Sequence, residues 1–287
     1  MAGNLTSESD LPALACARAD CQLRPSVIAT VSPVSPSIFP MPFAPEVQQL
    51  IEQVERISER PVHVMEETDL KARATVTPAR SGAPAHMIRF RPGSPSLDYL
   101  VASQLQFLIR TFSCPAADRW DIVSTNGEQD AGIAAMGLGT FSDPFARQMI
   151  SIIITQLRTY SIGFRVDEWI WNNLPGLRQQ QETEIRSQLS ENERALAPET
   201  RQRFPRAIVD SNSAMNALYA TFWGEMLREP RFAIPFMAIG YRGKAAELSA
   251  ILNEIPDEPT NDRMLIERWA AVLGLSGSFH FKPYATD

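Results

Sequence analysis

A mostly helical α+β fold with a small N-terminal sheet is predicted by three observations. Three short β-rich runs, Val62–Met65, Ala72–Val76 and Met87–Phe90, cluster in the first third of the chain. From Ser142 onward the apolar residues recur at helical rather than strand spacing. The strands and helices are segregated along the chain rather than alternating, which is the pattern of α+β architecture and not of a doubly wound parallel sheet. No repeat of fixed period is visible, so a solenoid is excluded.

Residues 1–42 read as a Pro/Ser-rich tail or extended arm. Pro33, Pro36, Pro40 and Pro42 forbid a helix and favour extended chain, while Ile28, Val31, Val34, Ile38 and Phe39 are apolar enough to lie on a folded body. Ala44–Ile57 carries Val47, Leu50, Ile51, Val54 and Ile57 on one helical stripe, ended near Pro61. After the strand runs, Ser94 is placed as an N-cap with Pro95 at the first helical position. The following helix buries Leu97, Leu100, Val101, Leu105, Leu108 and Phe112, and Tyr99, Phe107 and Ile109 extend its apolar surface to most sides.

Asp143-Pro144 starts a helix striped by Phe145, Met149, Ile152, Ile153 and Leu157; Val166–Leu174 reads as a second one, ended near Pro175. Ser190 with Glu193 has the spacing of a capping box. Ala207–Leu227 forms a broad apolar face, and Glu247–Leu252 and Arg263–Leu273 give two shorter helices. The expected organisation is an α+β domain over 43–173 and a helical region over 174–287 packed on it.

A formal charge of -6 excludes a phosphate-backbone binder, which needs clustered Lys and Arg. The local density of Arg201, Arg203 and Arg206 is balanced by Glu191, Glu193 and Glu199. The longest apolar run, Met149–Ile154, is far short of the ~20 residues that span a bilayer, so no membrane partner is expected. Without a basic, then apolar, N-terminal leader the expected location is cytoplasmic. Cys16, Cys21 and Cys114, with His63, His86 and His280, show no zinc-ligand spacing, so neither metal nor cofactor is expected. Gly274-Leu275-Ser276-Gly277-Ser278 lacks the last glycine and the preceding strand of a nucleophile elbow. Gly137-Leu138-Gly139 lacks the third glycine of a dinucleotide fingerprint and reads as a turn. Cys114 precedes Pro115 and has no base nearby in sequence.

The most informative run is His86–Phe112, HMIRFRPGSPSLDYLVASQLQFLIRTF. It resembles a segment of small zincin-like metallopeptidases of the ImmA/IrrE type. There a strand I-R-[FY]-x-P leads into a helix Y-x-V-A-H-E-x-x-H-[IL]-x-R. The resemblance covers residues 45–112 and, more weakly, runs on through 173. Ser103, Gln104 and Phe107 stand at the positions of the motif's His, Glu and His. In such a helix the two imidazoles, one turn apart, hold one Zn²⁺ and the Glu takes a proton from its bound water. Phe107 has no donor atom, Ser103 is a poor zinc ligand, and the Gln104 amide is no general base.

By the same resemblance Glu168, with Asp167 next, is the position of the remnant third ligand; read as residues alone, both are solvent-facing on a helix. What the resemblance implies is a zinc-free fold with no catalytic residues, a pseudoenzyme that binds a protein or peptide or serves a regulatory role. The alternative is a metal-independent enzyme or small-molecule site that uses Ser103, Gln104, Asp167 and Glu168. Read without the resemblance, the helix is an ordinary buried one, Ser103 merely small and Gln104 hydrogen-bonded.

Overall fold

The computed structural model describes residues 43–80 and 82–284, and the expected arm at 1–42 lies outside them. Helix α1 (Pro45–Ser58) precedes strands β1 (Val62–Glu66), β2 (Ala74–Thr77) and β3 (His86–Phe90) and helix α2 (Leu97–Ser113). Strand β4 (Trp120–Val123) and helix α3 (Asn126–Ala135) lead to the long helix α4 (Asp143–Asn173). Then come α5 (Arg178–Arg194), α6 (Pro198–Arg203), α7 (Arg206–Met226), α8 (Ile234–Ala238), α9 (Arg242–Glu254), α10 (Asp262–Leu273) and strand β5 (His280–Pro283). The architecture is mostly helical α+β with a small N-terminal sheet.

That sheet has the order β1-β3-β2, with β1 parallel to β3 (Val62 opposite His86) and β2 antiparallel to it (Ala74 opposite Phe90). Alternation along β3 buries His86, Ile88 and Phe90 on one face, because successive side chains of a strand point to opposite sides. α2 packs against β2, β3 and α1, whose Val47, Leu50 and Val54 are buried at helical spacing. A second pairing, β4 antiparallel to β5 with Trp120 opposite Pro283, brings the C-terminal strand beside the loop that follows α2.

α4 runs 31 residues, about 46 Å at 1.5 Å per residue. It packs on α2, α3, α7 and α10, and α7 in turn packs on α5 and α9. Tyr160, Phe164, Tyr219, Phe222, Trp223 and Trp269 form a chain of ring contacts through this part of the core. Among the described residues no helix is long and apolar enough to cross a membrane.

Several boundaries differ from expectation for local reasons. α2 begins at Leu97, not at Pro95: the Ser94 hydroxyl accepts from the Ser96 backbone N–H (3.3 Å), a side-chain turn that competes with helix and delays its start. The two helices expected across 143–174 are one, since no proline interrupts them and Gly163 is buried in the interior without breaking the ladder. Ser190 and Glu193 lie inside the last turns of α5 and cap nothing. The capping box is at Thr125 and Glu128, each side chain accepting from the other's backbone N–H, at the start of a helix that sequence patterning did not reveal. Gly137, at φ 64°, lies in the expected turn between α3 and α4. Gly274, at φ 74°, ends α10 and opens the loop that holds Ser278.

Candidate functional site

Helical geometry puts Tyr99, Ser103, Gln106 and Arg110 on one face of α2, since residues 4, 7 and 11 positions apart share a side. This polar stripe runs down a helix whose buried residues are mostly apolar. At its N-terminal end the Tyr99 hydroxyl donates to Asp167 Oδ1 of α4 (2.9 Å), and the Tyr99 backbone N–H donates to Gln180 Oε1 (3.2 Å). The Gln181 amide donates to the Asp167 carbonyl (2.8 Å), and Gln180 donates to Asp98 Oδ2 (3.0 Å). The other Asp98 oxygen accepts from the Ala44 backbone N–H (3.0 Å), so one carboxylate ties α5 and the start of α1 to the start of α2.

At the other end of the stripe Arg110 grips Asp262 of α10 with two nitrogens, Nε to Oδ2 (2.9 Å) and Nη2 to Oδ1 (2.7 Å). Arg165 of α4, 2 % exposed, donates to the same Oδ1 (3.1 Å) and to the Ile255 carbonyl (2.7 Å). Asp257 pairs with Arg110 at 2.8 Å from the solvent side. Burial alone would lower the Arg110 guanidinium, but the facing Asp262 and Asp257 carboxylates outweigh it and hold it above its ordinary value. The knot locks α2, α4 and α10 together through charges that none of them could bury singly.

The candidate residues separate in this setting. Asp167 is buried and reaches α2 one turn before Ser103, whereas its neighbour Glu168 is exposed. The expectation of two solvent-facing carboxylates therefore fails for Asp167: a 100° step along the helix turns it inward while Glu168 stays outside. Ser103 is half-buried on the stripe. Gln104 lies on a different side, buried, and its Oε1 has no hydrogen-bond partner among the described residues, contrary to the expectation of a satisfied amide. Phe107 is half-buried and lines a crevice further along α2.

These donors do not suit zinc. Among these positions Asp167 is the carboxylate that the later helix supplies, and the hydroxyl, amide and phenyl at 103, 104 and 107 supply no imidazole and no base. Among the described residues no group of three His, Cys, Asp or Glu side chains is disposed to hold a metal ion. His86, the most buried of the histidines in the described region, is spent on structure. Its Nδ1 accepts from the Ala79 backbone N–H (2.9 Å), which leaves Nε2 to donate to Ser58 Oγ (2.9 Å). Burial, aided by the charge of Arg60, lowers its pKa to about 4. The Cys114 thiol is also buried, and burial followed by the Asp262 charge pushes its pKa up, away from a reactive thiolate.

A further polar interior lies beside the site. Tyr160 of α4 donates to Asn216 Oδ1 of α7 (2.5 Å) and accepts from Asn192 (3.2 Å) and Gln188 (3.5 Å) of α5, all four buried. Sequence reading missed this cluster, together with Tyr99, Arg110, Arg165 and Asp262. The available signal was the recurrence of polar side chains at helical spacing, Gln181, Gln188 and Asn192 on α5 and Tyr99, Ser103, Gln106 and Arg110 on α2. In comparisons with known proteins, no family model, no curated protein and no solved structure matches the chain.

Proposed function

We propose that this chain is a catalytically inactive, zincin-like protein that binds a protein or peptide segment beside the polar stripe of α2. The reading is supported chiefly by the Tyr99–Asp167 hydrogen bond. It brings an acidic side chain of a later helix against the helix that carries Ser103, Gln104 and Phe107, the relation a zinc peptidase needs between its motif helix and its third ligand. On this reading the relation persists without the imidazoles or the base. Side-chain amides and hydroxyls gathered from α2, α4 and α5 suit hydrogen bonding to peptide groups.

One experiment with two arms tests the proposal. A displayed random peptide library is selected on the purified chain, and the enriched peptides are measured against Ser103→Trp, which fills the stripe. We expect peptides that lose binding to the variant; peptides that bind both proteins equally, or no enrichment, count against the site. In the second arm Ser103→His, Gln104→Glu and Phe107→His are combined, with and without Asp167→Asn. The triple variant is expected to retain zinc through dialysis and the quadruple variant to release it. A folded triple variant that retains no more zinc than the parent would overturn the zincin-like geometry.

A further inference from the structure

After α7 the chain makes a tight helical turn (Pro230–Ala233) and then α8, and residues 232–240 across them, FAIPFMAIG, carry no charge. Of these Phe236 alone is buried. Ile234 is 62 % exposed and Ile239 37 %, with Phe232 and Met237 half-buried in the same run. The run is anchored from both ends of α8: Phe236 and Tyr241 are buried, the Tyr241 hydroxyl donates to Asp210 Oδ1 (2.9 Å), and Arg186 of α5 lies over the Phe232 ring (5.6 Å). Aliphatic side chains held in water by a well-anchored backbone mark an interaction surface.

Three cations border the run, Arg228 before it and Arg242 and Lys244 after it, all exposed and without a side-chain hydrogen bond or ion pair among the described residues. Local structure favours other residues at all three places. Arg228 stands at φ 58°, the left-handed position after a helix where glycine is usual. Arg242 and Lys244 stand in the first turn of α9, where the helix dipole favours acids and disfavours cations. Of the acids nearby, Glu229 is taken up by Arg186 and Arg231, and Glu225 and Glu247 pair with none of the three. Residues 228–244 therefore set Arg228, Arg231, Arg242 and Lys244 against Glu229 alone, in a chain whose formal charge is -6.

We infer that this run is a membrane-surface site, in which Ile234, Met237 and Ile239 enter the headgroup region of a bilayer and Arg228, Arg242 and Lys244 meet anionic lipid headgroups. Such a segment lies in the interface and does not span it, so the shortness of the chain's apolar runs has no bearing on it. A stable protein interface needs ~800 Å² and about 20–30 residues a side, far more than this run, whereas a bilayer asks for no matching shape. A second copy docked about a two-fold axis would set the same cations against each other. The run shares no residue with the polar stripe of α2 and stands apart from the zincin-like reading.

Co-flotation of the full chain with vesicles tests it, phosphatidylcholine alone against phosphatidylcholine mixed with phosphatidylserine. The chain is expected to float with the mixed vesicles and not with the neutral ones, and to be released as salt is raised. Loss of one cation, by Arg242→Gln or Lys244→Gln, should weaken binding about fivefold, and Ile234→Ser about tenfold. These side chains are exposed, so the variants should fold, and circular dichroism checks that they do. No binding to either vesicle, equal binding to both, or binding unchanged in Ile234→Ser would overturn the site. Sedimentation velocity without lipid addresses the competing occupant: a dimer that Ile234→Ser dissolves would show that a second copy, not a bilayer, covers the run.

Discussion

Beneath the three-stranded sheet the interior is built from Ile88, Phe90, Leu100, Leu105, Leu108 and the Val47, Leu50 and Val54 of α1. Between α4, α5 and α7 it is built around Tyr160, Gln188, Asn192, Asn212 and Asn216, interleaved with Phe164, Met215 and Trp223. Both interiors exclude water. The first holds by apolar area, at about 25 cal/mol for each Å² removed from water, and its patterning carries the element boundaries. The second adds directional bonds, whose value depends on every partner being present, so that a single lost atom leaves others unsatisfied. A region of the second kind specifies one arrangement of its helices and offers a polar surface if a ligand displaces part of the network.

The comparison is broken most forcefully where the two regions are joined. Asp262→Ala should cost about 3–5 kcal/mol, because it leaves Arg110 and Arg165 buried without their shared carboxylate. Urea unfolding would register this as a lower midpoint, and a change within error of zero would show the knot to be dispensable. Asp262→Asn should fall in between, since it keeps one acceptor.

The sheet region has its own polar exception in His86. Its pKa of about 4 when folded lies below the ordinary 6.5, so protonation favours the unfolded chain. Its contribution is complete above pH 6.5, declines as the pH falls from 6.5 toward 4, and levels off below that, a loss of about 3 kcal/mol in all. Unfolding midpoints across this window should drop for the parent and drop less for His86→Gln. Parallel curves would mean that His86 is not the group responsible.

Within the two interiors, Leu105→Ala should cost about 3 kcal/mol by opening a cavity. Tyr160→Phe, which removes one oxygen, should cost about 1–2 kcal/mol because Asn192 and Asn216 lose their partner. Adding Asn216→Leu should then be far from additive with Tyr160→Phe, whereas Leu105→Ala should add independently to either. Simple additivity throughout would show that the polar cluster is not a network.

The sequence by itself determined the fold class, the position of the small sheet and the apolar faces of α1, α2 and α7. These depend on periodicity, which is a local property of the chain. It also carried the motif-like run at 86–112 and the chemical unsuitability of Ser103, Gln104 and Phe107 for zinc, since donor chemistry is fixed by residue type. It misled where polar helices such as α5 have a weak apolar stripe and where nothing local marks a long helix such as α4 as continuous. Only the tertiary structure chose Asp167 over Glu168 as the buried carboxylate, and joined Arg110 and Arg165 to an aspartate 152 and 97 residues away. Which of two adjacent carboxylates turns inward, and which of many arginines finds its partner, depends on the angle at which distant helices cross, and no local pattern encodes that angle.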